Sequence, residues 1–536
     1  MDQGADGATE VSLAHQRTQE VSGGMLHASR GFIGNAGITL IGAGTGALLT
    51  MGADVLAARF LGVSTYGLYA LALMLAKSGE IIAEFGVPLS LLHFLPVSLS
   101  RGDRASALGA ILGSLLSPIA IGLGFAFALW FRGDWVASHL LGQPAAGPFI
   151  AVIGFAIPLM VTIDVLGNVA RGFGRALPYV VTYNIVPQLC AAAVFISLMI
   201  WEGPQVGVVY GRVFACAIGG AFAFFFAWQL VERHIGWVRP VLHLRQLYGY
   251  ALPLGVNLMI SLGIAWTDIF LLGLLTNAST VGAYRGCMQI VLVFDLGANA
   301  FAAALAPVFT VLIAEGRRAR MQDMYTSAIR LQTLMSLPFL LVIMVNAADL
   351  LRILGPDFAM GAPALLILGC GQFAKGTLSP ATVALIIGGR QKLDAVNVAI
   401  AAAANLMLNL MLIPFLGLAG AAFATATSLI GLAIVRCLEV RRVFGLRTLD
   451  FTPLRAMLVT MPLTLAIWAV STLFGIGPGT GFAALFCRLA IMGVAIGGSI
   501  WFFCLEAGDR TMLLRLALRR GSGVPPPTAG VATTGP

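Results

Sequence analysis

Charge is what this sequence lacks. Only 10% of its 536 residues are Asp, Glu, Lys or Arg, where a soluble domain carries roughly 25%. Too few polar groups are present to cover a water-facing surface. A soluble enzyme, a nucleic-acid-binding domain and a disordered chain are thereby excluded. Motifs for covalent chemistry are missing too. There is no H-E-x-x-H, no G-x-S-x-G and no metal-spaced Cys/His cluster, and the six His residues are scattered. The seven cysteines (Cys190, Cys216, Cys287, Cys370, Cys437, Cys487 and Cys504) form no C-x-x-C pair and read as small buried apolar residues. Gly42-Ala-Gly-Thr-Gly46 has the look of a dinucleotide loop, but it lies inside an apolar stretch with no strand before it. No polar segment is long enough for an ATPase domain. The expectation is a protein that is not an enzyme and holds no metal or cofactor.

What is present is apolar. Hydrophobic residues make up 59% of the chain, and its mean hydropathy is +0.92. A bilayer core about 30 Å thick takes roughly 20 apolar residues per helix. Fourteen such stretches occur, near 33–57, 66–92, 107–131, 149–169, 179–201, 206–231, 248–274, 281–312, 327–348, 361–388, 393–413, 418–438, 455–475 and 480–505. They are continuously apolar and do not alternate with period two, so helices are expected and barrel strands are not. Residues 1–29 and 506–536 are polar and read as disordered tails, the first without a signal-peptide core.

The basic residues set an orientation. With both termini in the cytoplasm, 24 of the 32 Lys and Arg residues fall in the tails and alternate connections. Arg59, Arg132 and Arg352 alone face the other side, and five lie within the spans. This is the positive-inside pattern. The net charge of +9 is therefore a topology device, with contact to anionic lipid as a second role and no nucleic-acid partner.

An internal repeat underlies the count. Ser64-Thr-Tyr-Gly-Leu-Tyr69 after the first span returns as Ser279-Thr-Val-Gly-Ala-Tyr284 after the seventh, 215 positions later. Asp54 and Asp268 precede the two copies by ten and eleven residues. Arg175 returns as Arg390, and Gly207 as Gly420, at nearly the same offset. The chain thus divides into an N-terminal six-helix lobe (30–233), a cytoplasmic linker (234–247), a C-terminal six-helix lobe (248–445) and helices 13 and 14 (446–505). Six is even, so the halves share one orientation, about an axis along the membrane normal.

Eleven ionisable residues lie within or at the margins of the spans. The bases are Lys77, Arg212, Arg285, Lys375 and Arg488; the acids are Asp54, Glu80, Glu84, Asp164, Asp268 and Asp295. Facing lipid, each would cost about 3 kcal/mol, so they should face water or one another. Lys77, Glu80 and Glu84 share a helix face, either as a self-neutralising pair or as a charged cavity wall. Asp54 and Asp268 are caps, partners for an arginine, or ion sites. Asp295 and Lys375, each without a partner in its own helix, are placed in a cavity. Amides such as Asn299 and Gln372 support a wet interior.

Two segments carry a family resemblance. Arg59-Phe-Leu-Gly-Val-Ser-Thr-Tyr-Gly67 resembles the R-x-L-G-x-x-x-Y-G segment after the first helix of bacterial polysaccharide flippases. Gly417-Leu-Ala-Gly-Ala-Ala-Phe-Ala-Thr425 resembles their G-x-x-G-A-A-x-A opening of helix twelve. These O-antigen and exopolysaccharide flippases belong to the multidrug/oligosaccharidyl-lipid/polysaccharide exporter superfamily. The resemblance implies V-shaped lobes and alternating access in the bacterial inner membrane. It also implies an undecaprenyl-diphosphate-linked oligosaccharide as substrate, with polysaccharide polymerase and chain-length proteins as partners. A diphosphate needs cations in a low-dielectric site, for which Lys77, Arg212, Arg285, Lys375 and Arg488 are the candidates, with Asn299 and Gln372 for sugars. The six acids are the candidates for coupling a proton or sodium ion. A cation-coupled multidrug antiporter and a lipid II flippase are the rival readings; a membrane polymerase or ligase lacks the external catalytic loop it would need.

Overall fold

The computed structural model describes residues 5–447, 452–473 and 481–504. These residues form helices from end to end, without strands. In chain order they are α1 (Ala5–Glu84), α2 (Val87–Ser100), α3 (Arg104–Trp135), α4 (Gly147–Ile153), α5 (Ala156–Gly172), α6 (Ala176–Tyr179), α7 (Val186–Glu202), α8 (Pro204–His234) and α9 (Leu244–Leu275). Then come α10 (Ala278–Ala314), α11 (Arg318–Arg352), α12 (Ala362–Thr377), α13 (Ser379–Ile387), α14 (Gln391–Leu416), α15 (Leu418–Phe444), α16 (Thr452–Leu473) and α17 (Phe482–Ser499).

Twelve helical segments are long and apolar enough to cross a membrane, and the bent pair around α4 and α5 makes a thirteenth. The first of the twelve, Gly37–Ser100, is 64 residues long and breaks into two helices at Gly62, whose φ of 73° and ψ of 167° no other residue type adopts easily. It supplies two spans, so fourteen are reached. The expected span at 149–169 is the bent one: α4 meets α5 at 42° across Gly154 and Phe155. The neighbouring pair near 393–438 is two full helices, α14 and α15, reversed at Gly417 with φ of 53°.

Two expectations change. Residues 5–29, read as disordered, belong to α1. No proline occurs before Pro88, and extending an existing helix costs far less than starting one. Arg330, counted among the cytoplasmic bases, is buried at 9% exposure within α11. The C-terminal tail lies outside the described residues.

The core shows how the two halves meet. At the face opposite the basic connections, one hydrophobic core runs through both halves, from Val63, Leu71 and Ile150 to Leu272, Tyr284, Leu354 and Phe358. Towards the basic face the halves separate. The N-terminal half packs around Leu91, Leu95, Ile111 and Val169. The C-terminal half packs independently around Phe309, Tyr325, Leu385 and Val440. A small patch of Val87, Leu247 and Ala251 is what bridges them there. The result is a V, joined at the face opposite the basic connections and divided towards the basic face. Helices α16 and α17 pack on α11 through Leu337, Leu341, Met492 and Ile496. Side chains such as Phe131, Phe415 and Val494, each more than three-quarters exposed, form the lipid-facing surface.

Candidate functional site

The repeated Ser-Thr-x-Gly-x-Tyr motif builds the junction between the halves. Gly67 and Gly282 occupy the same motif position and bring the start of the second span against the start of the eighth. A Cβ on Gly67 would stand 1.9 Å from the Ala278 carbonyl oxygen; a Cβ on Gly282 would stand 1.9 Å from that of Val63. The contact is reciprocal, as a two-fold relation between the halves requires. Around it, Tyr66 meets Phe358 edge-on at 5.8 Å, and the Arg59 guanidinium donates to the Ile353 carbonyl at 3.3 Å. From the 132–148 connection, Gln143 donates to the carbonyls of Gly273 and Thr276 at 3.2 and 2.9 Å.

Asp54 sits beside this junction and pairs across the halves with Arg285 at 3.3 Å. The side chains are 12% and 19% exposed. Arg285 also lies 5.2 Å over the Trp266 ring, a favourable place for a cation. Arg212 belongs to the same charged region, its guanidinium donating to Gln188 Oε1 at 3.3 Å.

Asp268, the repeat counterpart of Asp54, meets a different environment. It is 1% exposed. Tyr284 donates to Oδ2 at 2.5 Å and Asn409 to Oδ1 at 2.6 Å, while the Thr425 hydroxyl also donates to Oδ2. Asn405 backs the cluster through Thr425 at 3.2 Å. All these donors are neutral. Thr425 occupies the place in the C-terminal half that Arg212 holds in the N-terminal half, by the same 213-residue offset that relates Gly207 to Gly420.

The lysines are paired as well. Lys77 reaches Glu80 at 2.6 Å, one turn along its own helix, so the self-neutralising alternative holds for these two. Lys375 of α12 reaches Asp295 of α10 at 2.5 Å, a partnership between helices 80 residues apart. Glu80 and Asp295 are repeat counterparts at the 215-residue offset, so each half carries an acid–lysine pair at the matching depth. The two lysines are 30% and 35% exposed, which at membrane depth is tolerated beside a water-filled space. Glu84 is 6% exposed, a turn below Glu80 and just before a break where Phe85 takes φ of 41° and Gly86 φ of 79°. Asn168 donates to Asp164 Oδ1 at 3.2 Å, and Arg171 to Asn168 at 3.1 Å.

Arg488 is placed elsewhere. It is 1% exposed and bonded to Asp349, between α17 and α11, whereas the sequence put it in the substrate cavity. Gln372 is buried in α12 near Lys375, and Asn299 is exposed on α10. Sequence reasoning missed Asp349, Tyr284 and Thr425 as partners. Tyr284 and Thr425 stand inside the two motifs that were noticed, and Asp349 had an i,i+3 signal in Arg352, to which it bonds at 2.6 Å.

Comparison with known proteins gives the family. The family model described as polysaccharide biosynthesis protein matches residues 32–312. A probable low-salt glycan biosynthesis flippase of Haloferax volcanii is 25% identical over 212 residues, covering 38% of this chain and 43% of its own. A probable flippase of the same organism is 22% identical over 386 residues, covering 69% and 75%. The chain thus spans less than half of one curated relative and three-quarters of the other. Among solved structures, lipid II flippase MurJ in an inward closed conformation aligns over 90% of this chain and 99% of its own, with TM-score 0.66 and 13% identity. An inward-facing multidrug resistance MATE family transporter of the MOP superfamily aligns over 74% and 94%, with TM-score 0.64 and 16% identity. At those identities the likeness is one of fold. Matched over more than half its length, the chain belongs to the polysaccharide biosynthesis protein family.

Proposed function

We propose that this protein is an alternating-access flippase that carries an undecaprenyl-diphosphate-linked oligosaccharide from the inner to the outer leaflet of a bacterial cytoplasmic membrane. Both termini are cytoplasmic, and the division between the lobes opens inward. The carrying observation is the core shared at one face over separate cores towards the other: two halves joined at one face can exchange that junction for one at the other. The names of the archaeal relatives, both flippases and one of glycan biosynthesis, support the substrate class.

Within the cavity, Arg285, Arg212, Lys77 and Lys375 receive the diphosphate, exchanging intramolecular partners for phosphate oxygens. The paired state suits this role. Lys77, Lys375 and Arg285 are neutralised while the cavity is empty, and their acids are left to take up a proton or sodium ion when phosphate displaces them; Arg212 exchanges the Gln188 amide for phosphate. Asp268, bonded by neutral donors alone, is the second candidate for the coupling ion. Outward movement of an anion is helped by an inside-negative potential, by about 2.3 kcal/mol per charge per 100 mV. Polysaccharide polymerase and chain-length proteins are the downstream partners.

The test replaces Lys375 or Arg285 by Gln. Membrane insertion and abundance should persist while lipid-linked glycan export falls at least tenfold. Normal surface glycan from either variant at wild-type abundance would refute the cavity assignment. Export of lipid II or efflux of cationic drugs by the reconstituted wild type, without glycan export, would favour the lipid II flippase or the antiporter instead.

A further inference from the structure

A polar cavity of about 320 Å³ opens on the basic face, outside the central charged region. Its walls come from the end of α2, the start of α3 and the connection into α9. The charged and imidazole side chains among them are His93, Arg101, Asp103 and His243, with Ser98, Ser106 and Gln246 beside them.

The cavity is built on fixed supports. The Val241 N–H donates to the Ala105 carbonyl at 3.0 Å, fastening the inter-lobe connection to α3. Gly109 makes this possible, because a Cβ there would lie 1.9 Å from the Val241 oxygen. His93 stacks on Tyr250 with centroids 4.8 Å apart and planes 8° from parallel. Tyr248 donates to Ser117, joining α9 to α3 a little deeper. The cavity therefore bridges the two halves where α2 and α3 meet α9.

Its donors suit an anion. Arg101 and two imidazoles line it together with one acid, Asp103, whose carboxylate is taken up by the backbone of the same rim. Asp103 caps α3, accepting from the Ser106 N–H at 2.9 Å. That bond, assisted by His243, holds its carboxyl below the usual range. The N-terminus of α9, a helix of 32 residues, also meets the cavity, and His243 at its cap position makes no side-chain cap bond.

Its depth is marked by apolar residues of the connection. Trp237 is 76% exposed, and Val241, Leu242 and Leu244 are also exposed, interleaved with Arg239, His243 and Arg245. Such a segment lies in the bilayer interface with its apolar side chains in the lipid. The cavity is thus held at headgroup level.

We propose that this cavity binds a phosphate-bearing group at the membrane surface, as a loading site in which the diphosphate of the lipid-linked substrate is held before it enters the space between the lobes. The loading role rests on the flippase reading; phosphate binding does not. The experiment reads binding and not transport, so the two can fail separately.

The full-length protein is placed in zwitterionic nanodiscs with or without undecaprenyl phosphate, and separately titrated with inorganic diphosphate. Wild type should bind phosphate in at least one arm. The double variant Arg101→Gln/His243→Gln should weaken that binding at least tenfold at an unchanged unfolding midpoint, whereas Arg390→Gln, at an exposed base of the other half, should leave it unaltered. Binding of the lipid with that loss supports a headgroup site. Binding of diphosphate alone with the same loss supports a phosphate site for a soluble ligand and overturns the loading role. Absence of binding in both arms, or equal binding by the double variant, overturns the proposal.

Discussion

Asp54 and Asp268 stand at matching places in the two halves, yet one faces a guanidinium and the other faces hydroxyls and amides. Asp54 pairs with Arg285 at the junction between the halves. Asp268 is enclosed within the C-terminal half by Tyr284, Asn409 and Thr425. A carboxylate locked to a fixed cation is already neutralised and serves the junction. One held by neutral donors has no base beside it among the described residues. The repeat carries the same acid twice, and the neighbours differ, Arg212 in one half and Thr425 in the other.

The largest effect expected of any substitution tests where the halves remain equivalent. Gly67→Ala and Gly282→Ala each place a methyl against a carbonyl and push the junction apart by roughly 1.5 Å, since carbon–oxygen contacts settle beyond 3 Å. Both should abolish export at normal abundance. Export surviving in one but not the other would show that the junction is not the symmetric device its geometry describes.

Next come the acids themselves. Asp54→Asn leaves Arg285 without its carboxylate and should cost about 3 kcal/mol or more, read as a lowered unfolding midpoint. Addition of Arg285→Gln should recover much of the loss. A double variant as unstable as the single one would mean that the pair does not act as a unit. Asp268→Asn removes a charge that no base balances and keeps the shape. The stability change should be smaller, about 1–3 kcal/mol from rearranged hydrogen bonds. Its signature is instead transport that no longer depends on the proton or sodium gradient. Full gradient dependence in the reconstituted variant would remove Asp268 from coupling.

The spans were legible because lipid imposes about 20 apolar residues on each helix, a demand visible in any window of sequence. The repeat was legible for the same reason, since the halves kept their loops and motifs in order. Partnerships were not. Asn409 and Thr425 come to Asp268 from 141 and 157 residues away, and Lys375 comes to Asp295 from 80. Periodicity tells which face of a helix a residue occupies, and it is silent on which helix that face meets. Lys77 with Glu80 could be read, because an i,i+3 pair needs one helix alone. The break at Phe85 and Gly86 was hidden too. It follows from close approach, where a Cβ on Gly86 would lie 2.6 Å from the Gly255 nitrogen.

The bond between Arg488 and Asp349 has a consequence for biogenesis. An arginine near the centre of a nascent helix resists insertion by about 2.5–3.5 kcal/mol. Helices α16 and α17 follow Asp349 in the chain, so its carboxylate, bonded to Arg352 within α11, is in place to receive Arg488 as well. The insertion of this helix pair is thereby coupled to a helix made before it, through one buried charge pair.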